Sequence, residues 1–180
     1  MNRYTLSALV ENKPGVLNRV ASLFRRRNFN IDSLTVGRTE NDEFSRMTIL
    51  MEGTELEAKK VEKALYKLPN VVMVEQLTGK PAVSRDLALI KVAVNGTNRP
   101  EVMQLCDIFR ARVVDVSAES VIVEITGEED KIERFTDLLR PIGIVEMVRT
   151  GIVCMGRGEH RMAAIDYRSR PAAKSRKTVI

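Results

Sequence analysis

Tryptophan is absent from this chain, aromatic residues make up 4% of it, and it holds one histidine and two cysteines. The lone histidine, His160, is expected as an exposed residue of a basic tail with no partner, which leaves imidazole acid–base or triad chemistry without support. Cys106 and Cys154 make neither a disulfide framework nor a metal-ligand spacing, and are expected as small buried hydrophobes in a reducing compartment. No close cluster of His, Cys and carboxylates suggests a metal site. No run of about 18 apolar residues is present to span a membrane. The N-terminus enters a strand pattern directly, without the look of a signal peptide, so the cytoplasm is the expected location. Residues 151–158 brush against a P-loop, but Arg157 and Gly158 stand where that loop needs Lys and Ser/Thr. The sequence nominates no catalytic residue.

What is present is ordinary for a folded chain, with 44% hydrophobic and 29% charged residues. Its 180 residues suffice for one domain or two small ones. The net charge of +5 is uneven. Seven Lys/Arg against Glu159 and Asp166 in residues 157–180 account for all of it, leaving residues 1–156 neutral. The basic character therefore belongs to the tail and says little about the folded body.

Hydrophobic periodicity divides the body into two similar halves. Tyr4, Leu6, Ala8 and Val10 alternate with polar residues as in a half-buried strand. Leu17, Val20, Ala21 and Phe24 then fall on one stripe of a helix, closed by Arg25, Arg26 and Arg27 in its last turn. Residues 31–38 and 44–52 read as a hairpin across a polar turn. Thr54 and Glu57 are spaced as a capping box for a second helix, with Val61, Ala64, Leu65 and Leu68 as its face. Residues 71–77 form a fourth strand. This β-α-β-β-α-β order is the ferredoxin-like arrangement. After a linker at 80–83 the same order returns: a strand at 87–94, a helix with Val102, Leu105, Cys106 and Phe109 inward, and a hairpin at 112–126. A helix follows from about Glu128, with Pro141 ending that segment, and then a last strand at 142–148. The first helices of the halves are offset by about 84 residues, the mark of an internal repeat. The fold class is thus α+β, with two ferredoxin-like domains.

The halves differ at one turn. Between the first strand and helix lies Glu11-Asn12-Lys13-Pro14-Gly15-Val16-Leu17. Pro14 fixes its φ and Gly15 permits backbone conformations closed to other residues. The amides of Val16 and Leu17 would point outward at the helix start, where the dipole also favours an anion such as a small carboxylate. A tight turn with no ligand fits the same residues. The second half has Gly96-Thr97-Asn98-Arg99-Pro100-Glu101 there, with no glycine directly before the helix and an acidic residue in its first turn. The two halves are expected to have different jobs.

With this order and turn in place, the first half resembles an ACT domain, a small-molecule-sensing module of amino-acid metabolism. Gly15-Val16-Leu17-Asn18-Arg19-Val20, Asn30-Ile31-Asp32-Ser33-Leu34-Thr35-Val36 and Ser45-Arg46-Met47-Thr48-Ile49 resemble the regulatory subunits of acetolactate synthase. Phe109-Arg110-Ala111-Arg112-Val113-Val114-Asp115-Val116 and Arg149-Thr150-Gly151-Ile152-Val153 carry the likeness through the second half, to about residue 158. The expected division is an ACT domain at 1–79, a linker at 80–83, a second ferredoxin-like domain at 84–156 and, beyond the reach of the resemblance, a partly disordered basic tail at 157–180.

It also implies a non-catalytic subunit that binds and activates a large catalytic subunit, the latter carrying thiamine diphosphate, magnesium and FAD. Feedback inhibition by a branched-chain amino acid, valine foremost, is implied as well. In such subunits two ACT domains pair side by side into a homodimer with the effector between them. Carried onto this chain, Asn12 and Gly15 line the pocket and the Val16 and Leu17 amides hold the carboxylate. Asn30 and Ile31 of the second protomer face the ammonium group and side chain. Many ACT domains place Asp where this chain has Asn12, which offers a hydrogen bond and no counter-charge. Neither nucleic acid nor a membrane is expected as a partner. The competing readings are an RNA-binding ferredoxin-like protein, for which stacking aromatics are missing from residues 45–49, and an ACT-type transcriptional regulator, for which no helix-turn-helix is visible.

Overall fold

The computed structural model describes residues 2–162. Its first half runs β1 (Asn2–Glu11), α1 (Val16–Arg26), β2 (Ser33–Arg38), β3 (Phe44–Gly53), α2 (Glu55–Leu65) and β4 (Val71–Gln76). These strands form an antiparallel sheet in the order β2-β3-β1-β4. The register places Tyr4 opposite Met51, Leu6 opposite Ile49 and Ala8 opposite Met47. That face is covered by both helices, and its side chains join Val20, Phe24, Val61 and Leu65 in one core. Each large side chain so removed from water contributes about 1.5–3 kcal/mol.

The second half runs β5 (Ala82–Ala93), α3 (Arg99–Phe109), β6 (Arg112–Val116), β7 (Ser120–Gly127), α4 (Glu129–Gly143), β8 (Ile144–Arg149) and β9 (Val153–Gly156). Its sheet repeats the first as β6-β7-β5-β8. Ala88, Ile90 and Val92 pack with Val123, Ile132, Phe135 and Leu139 into a second core. Phe109 lies tilted on Phe135, with ring centroids 5.1 Å apart. Two βαββαβ layers with separate cores are therefore present, and the fold class is α+β.

Several elements differ from the sequence reading. The buried stripe of α1 is Val16, Val20, Leu23 and Phe24, while Leu17 and Ala21 are exposed. Both sets have helical spacing; packing on the sheet selects the one rotated toward Val16. Pro141 does not end its segment, since α4 runs on to Gly143. In the last turn a missing N–H removes a single helical bond, and the positive φ of Gly143 stops the helix instead. The stretch expected as a linker at 80–83 already contains the start of β5. Residues 82–85 pair with β9, a strand that the sequence reading missed. His160 has a partner after all: its Nε2 lies 2.8 Å from Oε2 of Glu75, whose Oε1 accepts from Lys80 at 2.8 Å. The part of the expected tail beyond Met162 lies outside the described residues.

β5 thus serves two ribbons, pairing with β9 through residues 82–85 and with β7 and β8 through 86–93. The β9 end lies against the first sheet on the face opposite its helices. There Ile152, Cys154 and Ala82 pack with Leu50 and Leu77. Thr35 Oγ1 donates to the Ile152 carbonyl at 2.7 Å and Ile152 N donates to Ser33 Oγ at 3.3 Å. Gly151 makes this approach possible: its φ is +82°, and a methyl there would overlap Ser33 Oγ. Arg3 of β1 reaches Glu129 of α4 at 2.8 Å. Beside it the buried Asp86 accepts from Arg149 Nε at 2.7 Å and from Thr150 Oγ1 at 3.2 Å.

Candidate binding site at the start of α1

β1 ends at Glu11, and the chain turns through Asn12, Lys13 and Pro14 into α1. Two bonds fix Asn12 against the β2–β3 turn: its N donates to Glu43 O at 2.7 Å, and its Nδ2 donates to Asp42 O at 2.9 Å. Gly15 is the N-cap of α1, at φ 83° and ψ −6°, in the left-handed region that favours glycine. It brings no side-chain cap, and the first turn carries no acidic residue. Val16 N makes only a long bond to Lys13 O, 3.4 Å, and the amides of Leu17 and Asn18 have no acceptor among the described residues. A helix start with open amides and its positive dipole end can accept a carboxylate or similar anion.

A network missed by the sequence reading braces this turn. Asn70 Nδ2 donates to Glu11 Oε2 at 2.6 Å, Arg19 Nη1 donates to Asn70 Oδ1, and Lys13 Nζ lies 3.1 Å from Glu11. The bond from Asn70, joined by Lys13, holds the Glu11 carboxyl below the usual carboxylate range. No spacing rule would have linked Asn70 to Glu11, because β4 meets β1 only in the folded sheet.

The six expected residues fall into two groups. Asn12, Gly15, Val16 and Leu17 lie together at one end of the sheet; Val16 is buried beneath the turn and Leu17 is 46% exposed beside it. Asn30 and Ile31 lie beyond the other end of α1, about 16 Å away along its 11 residues. Asn30 Nδ2 donates to Asp32 Oδ1 at 3.0 Å, and Ile31 packs half-buried on the core. One chain does not bring the groups together. Topology offers a route with two. The outer edge of β2 has no strand partner among the described residues, its Ser33 end follows Asn30-Ile31, and its Arg38 end leads into the turn that holds Asn12. Antiparallel pairing of two β2 edges would set the Asn30-Ile31 end of one chain beside the Asn12–Gly15 end of the other.

The corresponding turn of the second half is closed. Asn95 Oδ1 accepts from Thr97 N at 2.8 Å and from Asn98 N at 3.0 Å, and Asn98 Oδ1 accepts from Asn95 N at 2.7 Å. Pro100 and Glu101 occupy the first turn of α3. Among the described residues no group of His, Cys, Asp and Glu is arranged to hold a metal ion. No helix among them is long and apolar enough to cross a membrane.

Residues 6–73 match a family model described as the AHAS small subunit-like ACT domain, and residues 85–158 match one described as the small subunit of acetolactate synthase. The chain belongs to the acetolactate synthase small-subunit family. It is 52% identical to a probable acetolactate synthase small subunit of Archaeoglobus fulgidus over 88% of this chain and 99% of that one. It is 47% identical to the acetolactate synthase small subunit of Mycobacterium leprae, over 90% and 96% of the two. The crystal structure of the acetolactate synthase small subunit from Thermotoga maritima superposes with a TM-score of 0.82 at 42% identity, covering 89% of this chain and all of that one. The ACT match spans the open turn, and the second match begins inside β5. As a small, regulatory subunit of acetolactate synthase, the chain has that enzyme's catalytic subunit as its partner.

Proposed function

We propose that this chain binds and activates the thiamine diphosphate-dependent catalytic subunit in branched-chain amino-acid biosynthesis, and makes it sensitive to feedback inhibition, with valine as the preferred effector. The observation that carries the reading is the helix start at Gly15, whose open amides are laid out for a carboxylate. The amino acid sits between two protomers joined through their β2 edges. Its carboxylate takes the Val16 and Leu17 amides beside Asn12 and Gly15, and Asn30 and Ile31 of the second chain take the ammonium group and side chain. Magnesium, thiamine diphosphate and FAD belong to the catalytic partner, and the assembly works in the cytoplasm.

Linkage supplies the mechanism. A ligand that bridges two chains stabilises one dimer geometry, and it inhibits to the extent that this geometry activates the catalytic subunit less well. Valine has about eight non-hydrogen atoms, enough for micromolar-to-millimolar affinity well below the ceiling for small ligands. The test is co-purification with the catalytic subunit of the same organism, followed by acetolactate assays with valine, leucine and isoleucine. Activation by this chain and inhibition by valine below leucine and isoleucine concentrations are expected. No activation and no effector sensitivity would overturn the reading.

A further inference from the structure

β5 changes partners between Arg85, which pairs with Val153 of β9, and Asp86, which pairs with Gly127 of β7. Four charged side chains gather at that step. The buried Asp86 is held by Arg149. Arg149 Nη2 also lies 3.9 Å from Glu129 Oε1, and Glu129 Oε2 accepts from Arg3 Nη1 at 2.8 Å. Arg3 belongs to β1 of the first sheet and the other three to the second domain, so Glu129 joins the two halves. Its neighbours at the start of α4 do not. Glu128 lies 3.9 Å from Arg85 of β5, and Asp130 is exposed, with no ion pair among the described residues. Any acid in that turn would complement the helix dipole; Glu129 alone of the three is aimed across the junction.

The apolar part of the junction is small, with Leu50 and Leu77 against Ala82, Ile152 and Cys154. Domains joined by so little packing are free to reorient by default. On the charged side nothing is packed shut, and the four side chains line a cleft of about 310 Å³. We propose, building on the effector site described above, that Arg3, Glu129 and Arg149 are positioning residues: they set how the second domain sits on the first, and so carry the effector's signal out of the ACT domain. β2 begins two residues after Ile31, and its Ser33 and Thr35 hold Ile152 by the N–H and the carbonyl. Asp32, between Ile31 and Ser33, lines the same cleft. A shift of β2 when an amino acid bridges two chains is delivered through Ile152 to Arg149, three residues before it. Arg149 and Arg3 then compete, one from each domain, for a single carboxylate, and α4 keeps both contacts in one orientation only. An ion-pair network with discrete arrangements is a physical carrier for such coupling. Partly exposed ion pairs add little to stability, so removing one leaves the fold and the effector site intact while freeing the orientation.

Binding and inhibition are read separately, by calorimetry with valine on the full chain and by acetolactate assays on its complex with the catalytic subunit. Glu129→Gln is expected to keep the parental valine dissociation constant within about twofold and to raise the valine concentration for half-inhibition roughly fivefold. Arg3→Leu is expected to raise it roughly threefold, and Arg3→Lys, which keeps the charge, to match the parent. Asp130→Asn removes a charge from the same helix turn without touching the junction, and is expected to match the parent in both measurements. Parental half-inhibition in Glu129→Gln overturns the proposal. So does a loss of affinity equal to the loss of inhibition, which assigns Glu129 a merely structural role, and so does an Arg3→Lys variant that behaves like Arg3→Leu. If the parent itself neither binds valine nor responds to it, the effector reading falls and this inference with it.

Discussion

The starts of α1 and α3 occupy the same place in two copies of one fold, and they treat their amides in opposite ways. At α3 the Asn95 side chain takes the Thr97 and Asn98 amides. Glu101 then adds a negative charge where an anion would sit. At α1 the cap is a glycine with nothing to offer, and the first turn is free of acid. Helix starts must satisfy their first amides somehow. Whether a ligand can do so is decided by one or two short polar side chains, which a repeat can exchange without disturbing its sheets.

The comparison breaks most clearly at the two glycines. Asp tolerates the left-handed region, and a Cβ on Gly15 meets nothing within 4 Å, so Gly15→Asp is expected to fold. Its carboxylate would repel the effector's by about 2–4 kcal/mol, raising the valine dissociation constant about a hundredfold in calorimetry. Gly96→Asp, in equally open space, is expected to leave valine binding unchanged. Next in size is the junction. Gly151→Ala, with positive φ and Ser33 Oγ in the way, is expected to cost about 2–3 kcal/mol in denaturant titration. Gly79→Ala also has positive φ but open surroundings, and is expected to cost about 1 kcal/mol. Thr54 and Glu57 close a full capping box on α2, so Thr54→Ala is expected to cost about 1 kcal/mol without altering effector binding at the uncapped α1.

The smallest effect concerns acid. Burial pushes the Glu75 carboxyl up, but the bonds from Lys80 and His160 outweigh it and leave the group below the ordinary carboxylate range. A depressed folded-state pKa contributes stability above the unfolded value of about 4.3, and that stability is lost as pH falls through the folded one. Glu75→Gln is therefore expected to flatten the loss of stability between about pH 5 and pH 3, by under about 1 kcal/mol. Thermal melts across that range would check it.

Local chemistry was legible in the sequence. Alternation in β1, the Thr54–Glu57 spacing, and a glycine at the one helix start that needs positive φ can each be read within a few residues. Features made by distant pairing were not. β9 is four residues long and finds its partner near residue 83; alone it has too little pattern to be seen. His160 meets Glu75 from 85 positions away. Leu17 has the spacing of a core residue, and it is exposed only because α1 packs on its sheet through the face of Val16, Val20, Leu23 and Phe24. Of the candidate site, the turn could be found by inspection, whereas its brace through Asn70 and Arg19 required the sheet.

β5 is 12 residues long, about 40 Å at the usual rise, and its first four residues are clamped beneath one sheet while its last eight form the centre of another. Such a strand acts as a lever. A tilt of about 5° at Ala82 swings Ala93 by roughly 3–4 Å over that length. For any such tilt, displacement within the second domain would be greatest at the end of β5 farthest from the first sheet, around Val94 and the closed turn before α3.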